Sequence, residues 1–284
     1  HGLSNKPALE DLRRIWLDAL AVQVSEDSGF DLGAVGVRDS FVYWADLFYD
    51  EPLLAAQYES RSDELTDSVD AAVELASDEW IDAMRVKFPM EEDQLFDDAP
   101  LDDSIEEYER IPLPWPVKKQ VIKHFLKEAH DYLFNVDGIR DRIRKQVMDA
   151  LARAGDDSPL VLVGHSQGSF IAYDVLTGVE DCPVVDGLLT LGSPLGIDEV
   201  QDKLVWSRED GFPKKLQGSW VNVYDPYDVV ARLDPKLSND FRRNGEQVVI
   251  DIKEENWGTW RHSATKYLQG PMLRSHLRRL AGRV

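Results

Sequence analysis

"VLVGHSQGSFIAYDVL", Val161 to Leu176, sets a polar knot, Gly-His-Ser-Gln-Gly, between an apolar run and an amphipathic one. Pro159 precedes residues 160–163, "LVLV", a run too short for a helix. It reads as a strand buried on both faces of a parallel sheet. Beyond the knot, Phe170, Ala172, Tyr173, Val175 and Leu176 recur at helical spacing up to Gly178, a C-cap signal. The chain therefore turns abruptly from strand to helix. Gly164 and Gly168 flank Ser166 and remove two Cβ atoms where strand and helix must approach. The Ser166 hydroxyl then stands at a helix N-terminus, where backbone N–H groups stabilise developing negative charge.

Outward from the knot, the same strand–helix alternation continues. Strands are expected at 184–192, 219–225 and 247–252, with a closing helix at about 271–281. Before the knot, Leu9, Leu12, Ile15, Trp16, Ala19 and Leu20 form a helix stripe, and "SFVYWADLF" (Ser40–Phe48) reads as another buried strand. Two further helices place Val121, Phe125, Ala129 and Tyr132 on one face, and Ile139, Ile143, Val147 and Leu151 on another. Strands joined by crossovers imply an α/β fold: a mostly parallel sheet with helices on both faces. Residues 50–116 interrupt this pattern as an acidic, mainly helical insertion in a single domain. It comprises a helix around Ala71–Met84, an Asp-rich run, and the stiff connector "IPLPWP" (Ile111–Pro116).

In its strand–turn–helix context, "GHSQG" resembles the G-x-S-x-G nucleophile elbow of the α/β-hydrolase superfamily, in its lipase and esterase branch. The resemblance covers roughly 1–49 and 117–284. It implies a serine hydrolase cleaving a carboxylic ester, small-molecule or lipid-type, through an acyl-enzyme and without a cofactor. A non-catalytic binding module on the same fold, and an acyltransferase or thioesterase using the same residues, remain alternatives.

A serine hydroxyl needs a base, and the base an orienting acid. The family order is Ser, Asp/Glu, His. After the 219–225 strand, "NVYDPYDVVARLD" offers Asp228, which precedes an apolar pair as family acids do, with Asp225 as second choice. His262, in the Gly-containing stretch "NWGTWRHSATKYL", is the favoured base; His276, inside a basic helix, is second. The resemblance assigns the oxyanion hole to the backbone N–H groups of Gln167 and of Leu3, the latter in the early motif "HGL". In the family a strand precedes that motif, so either a leading strand belongs ahead of His1 or the His-Gly pair is an addition. "LGSPLG" (Leu191–Gly196) is expected to line the site. Trp80, Ile81 and Met84 are candidate substrate-binding residues if the insertion caps an acyl pocket; the alternative is a peripheral acidic appendage.

Composition narrows the partners. The net charge is −21, and between Glu59 and Glu109 stand 19 acidic residues against three basic ones. Phosphate backbones would be repelled, which argues against nucleic acid. No apolar run approaches the length of a membrane span. Cys182 is the only cysteine, so an intrachain disulfide is excluded and a reducing, cytoplasmic setting is expected. Neither spaced Cys/His clusters nor H-E-x-x-H occurs, so a metal site is not expected.

Overall fold

The computed structural model describes residues 1–58, 127–155, 159–204, 211–228, 230–231, 234–257 and 261–283 of the chain. Helix α1 (Leu9–Ala21) forms on the stripe read from the sequence, burying Leu12, Ile15, Trp16, Ala19 and Leu20. Helical residues 127–133 bury Ala129 and Tyr132. Helix α2 (Ile139–Ala154) runs between Gly138 and Gly155, and buries Ile143, Val147 and Leu151. Strand β1 (Val161–His165) leads through Ser166 into α3 (Gln167–Gly178). There follow β2 (Val185–Leu191), the short α4 (Asp198–Gln201), β3 (Leu216–Tyr224), a small antiparallel hairpin of β4 (Arg242–Arg243) and β5 (Glu246–Gln247), and β6 (Val249–Lys253). Helices α5 (Ala264–Gln269) and α6 (Pro271–Leu280) complete the order.

The four longer strands form one sheet in the order β1-β2-β3-β6, parallel throughout. Strand side chains alternate between two cores. Leu188, Trp220 and Val249 pack with α2 and α3 on one face, while Leu189, Leu191, Val221 and Val223 pack with α1, α5 and α6 on the other. The protein is therefore of the α/β class, with helices on both faces. The C-terminal ends of these four strands open on the same rim, which gathers the turns after 165, 191, 224 and 253. Ligands of open α/β sheets bind at that rim.

Buried charge ties the helices down. Asp174 on α3 accepts from Nε of Arg140 (2.9 Å) and of Arg144 (2.8 Å), from both their terminal nitrogens, and from the Tyr132 hydroxyl (2.7 Å). On the other face, the fully buried Arg274 of α6 donates to Asp27 (3.0 Å), to the Ala19 carbonyl (2.8 Å) and to the Leu268 carbonyl (2.9 Å). Arg278 joins it on Asp27.

The structure corrects several expectations. Ser40–Phe48 is not a strand: among the described residues, 40–44 pair with no neighbouring strand, and Ala45–Leu47 make a 3₁₀ turn. The Trp44 N–H donates to the His1 ring (3.0 Å) instead of to a ladder, and Phe41 packs edge-on against Trp16. Strand β1 is not buried on both faces. Val163 is 37% exposed, because β1 is an edge strand among the described residues. Gln247 belongs to the hairpin rather than to β6. A helix, α5, begins two residues after His262 where only a loop was expected. The helix at 71–84, the acidic run and the 111–116 connector lie outside the described residues.

Candidate active site

The elbow is built from crowding. Ser166 holds φ +52° and ψ −124°, a conformation that side-chain-bearing residues adopt at a cost of roughly 1–3 kcal/mol. Two contacts impose it. The Ser166 N–H donates to the Leu191 carbonyl (2.9 Å), tying the turn to the end of β2. A methyl group on Gly164 would sit 2.5 Å from the Gly168 carbonyl oxygen and 2.8 Å from the Ser169 Cα, so only glycine lets α3 return this close to β1. Gly168 in turn faces the His1 carbonyl. Ser166 is fully buried, and its Oγ has no hydrogen-bond partner among the described residues.

Across the rim, Asp228 and His262 form a bonded pair. His262 Nδ1 lies 2.7 Å from Asp228 Oδ2, so Nδ1 is the nitrogen that donates to the carboxylate. Asp228 is fully buried; its Oδ1 accepts the Val230 N–H (2.8 Å) and the Ala231 N–H (3.3 Å). Burial pushes this carboxyl up. The His262 charge and the donors His262, Tyr267 and Val230 outweigh that and hold it below the ordinary aspartate value. Gly192, with φ +51°, makes room for the pair: a methyl there would lie 2.7 Å from Asp228 Oδ2 and 3.2 Å from His262 Nδ1.

The pair adjoins the elbow through its histidine. The His165 ring stands 4.8 Å from the His262 ring, and Leu191, the acceptor for the Ser166 N–H, adjoins Gly192. No Ser166–His262 hydrogen bond is formed among the described residues. Burial and the neighbouring His262 push the His165 imidazole well below its ordinary value, so it stays neutral.

The oxyanion candidates lie on either side. Gln167 is the first residue of α3, where a backbone N–H has no intrahelical acceptor. The "HGL" stretch packs on the elbow: a methyl on Gly2 would lie 3.0 Å from Ser166 Cβ. Lys6 Nζ donates to Leu3 O and to Ser4 O, while the Ser4 N–H donates to the buried Glu128 (2.8 Å). The Leu3 N–H has no partner among the described residues.

The second-choice residues go elsewhere. Asp225 accepts from the Tyr227 N–H (2.7 Å) and Asn256 N–H (2.8 Å), with Arg261 at 3.5 Å, and clamps the loop after β3 to the loop after β6. His276 lies part-exposed on α6. In the 191–196 turn, Ser193 bonds Ser169 (2.7 Å) beneath the elbow. Trp80, Ile81 and Met84 fall outside the described residues. Sequence reasoning missed Tyr267, whose hydroxyl reaches both loop aspartates. No periodicity or motif marks it, because its partners are about 40 residues away in the chain.

Among the described residues no cluster of His, Cys, Asp and Glu could hold a metal ion, and no helix is long and apolar enough to cross a membrane. A depression of about 590 Å³ lined by Ser28, Phe30, Arg278 and Arg283 shares no residue with the site. Compared with known proteins, the chain matches no family model and no curated sequence.

Proposed function

We propose that the chain is a serine hydrolase of the α/β-hydrolase type, cleaving a carboxylic ester of a small molecule or lipid. The observation that carries the reading is the strained Ser166, its hydroxyl unbonded, on the same rim as a bonded Asp228–His262 pair. In this mechanism His262 Nε2 takes the Ser166 proton as Oγ attacks the ester carbonyl. Asp228 holds the imidazole in the Nδ1–H tautomer and stabilises the imidazolium. The Gln167 and Leu3 N–H groups receive the oxyanion. His262 then gives its proton to the departing alcohol as the C–O bond breaks, leaving Ser166 acylated. Water, deprotonated by the same imidazole, releases the acid. An acyl acceptor other than water would turn the same residues to transfer.

A fluorophosphonate probe tests the reading. Intact mass should rise by one adduct, and Ser166→Ala should abolish it. Asp228→Asn and His262→Ala should each lower kcat on p-nitrophenyl esters about 10³-fold or more. Absence of labelling in the wild type would instead favour the binding module; labelling that persists in Ser166→Ala would move the nucleophile elsewhere.

A further inference from the structure

We infer that Tyr267 is a positioning residue for the Asp228–His262 pair, setting how strongly Asp228 holds the imidazole; this rests on the hydrolase reading above. Its hydroxyl is fully buried on α5 and lies 2.7 Å from Asp228 Oδ2, the same oxygen that His262 Nδ1 contacts. The direction of each bond is decided by the chemistry. The Asp225 backbone N–H can only donate, and it donates to the Tyr267 oxygen at 2.9 Å. The phenol's single proton is therefore directed to Asp228. Burial, with the Asp228 and Asp225 charges, pushes the phenol well above its ordinary value, so it remains a donor throughout the neutral range.

Asp228 thus takes four donors, two at each oxygen. Two donors on Oδ2 share its electron density, so the tyrosine weakens the imidazole bond while fixing the carboxylate's plane. Removing the phenol hydroxyl frees Oδ2 to bind His262 more strongly. The imidazolium is then stabilised, and the acid limb of kcat/KM moves to higher pH. Other charged or titratable groups face this pair. They are His165 from β1 and Asp225 with Arg261 from the two loops, and Lys6 acts on His165. Asp225 is ionised above about pH 7, its own value being pushed up to about 6.

The test compares wild type, Tyr267→Phe and Tyr173→Phe by proton NMR near pH 8, following the His262 Nδ1–H resonance. Tyr173 also loses a buried hydroxyl bond, to the Gly211 carbonyl (2.8 Å), but away from the site. The resonance should move downfield in Tyr267→Phe and stay in place in Tyr173→Phe, with the acid limb shifted up by about half a pH unit only in the former. If Tyr267→Phe does not fold, 3-fluorotyrosine at 267, a stronger donor of nearly the same size, should move the resonance upfield. An unmoved resonance in a folded variant, or equal movement in both phenylalanine variants, overturns the inference. The NMR arm needs no turnover, so failure of the hydrolase reading would show separately, as a wild type that hydrolyses no ester.

Discussion

Two buried aspartates three residues apart are shifted in opposite directions from the ordinary value, and Asp225→Asn makes the difference measurable. Asp225 is raised from 3.8 to about 6, first by burial and then by the Asp228 charge, against the lowering donors Tyr227 N–H, Asn256 N–H and Arg261. A carboxyl with a raised folded value binds its proton more tightly when folded. It therefore contributes stability below about pH 4 and loses it as pH rises through about 6. The shift is about two units, or about 3 kcal/mol lost by pH 7.5, of which about 2 kcal/mol falls between pH 4.5 and 7.5. Asparagine does not titrate, and its missing acceptor adds a pH-independent offset. Urea unfolding of both proteins across that range should show wild type losing about 2 kcal/mol relative to Asp225→Asn as pH rises. A difference constant to within about 0.5 kcal/mol would refute the argument. Because Asp225 clamps loops rather than orienting His262, kcat should stay within about tenfold at pH 7.5.

Two other substitutions probe the scaffold. Gly164→Ala should cost about 1–3 kcal/mol in urea unfolding and abolish fluorophosphonate labelling, because its methyl meets α3 backbone atoms that no rotamer can move; undiminished labelling would deny the crowding argument. Asp174→Ala should cost about 3–5 kcal/mol, since Arg140 and Arg144, only 14% and 21% exposed, lose their shared carboxylate. A loss below about 1 kcal/mol would show that water already solvates them.

The parts legible in the sequence were local in origin. The elbow shows because its glycines, its serine and the change from an apolar run to helical period lie within a short stretch. The contact between Asp228 and His262 was reachable because each follows a strand that the sequence marks clearly. Ser40–Phe48 misled because aromatic and β-branched residues suit any half-buried surface, and what decides their backbone is a His1 ring 43 residues away. Helix α5 is too short to display a period, and Tyr267 on it matters only through contacts across the fold.

The Arg274 bonds also bear on the order in which the molecule assembles. They join α6 to Ala19 and Asp27, partners 255 and 247 residues earlier in the chain. A chain synthesised from its N-terminus completes β1 and the elbow well before it makes α6. Until then, α1 and the sheet face it shares with α5 and α6 lack part of their apolar cover. Closing loops of that length is slow and leaves hydrophobic surface open meanwhile. Nascent or shortened chains without α6 leave exposed the apolar sheet face that Leu273 and Leu277 help to cover.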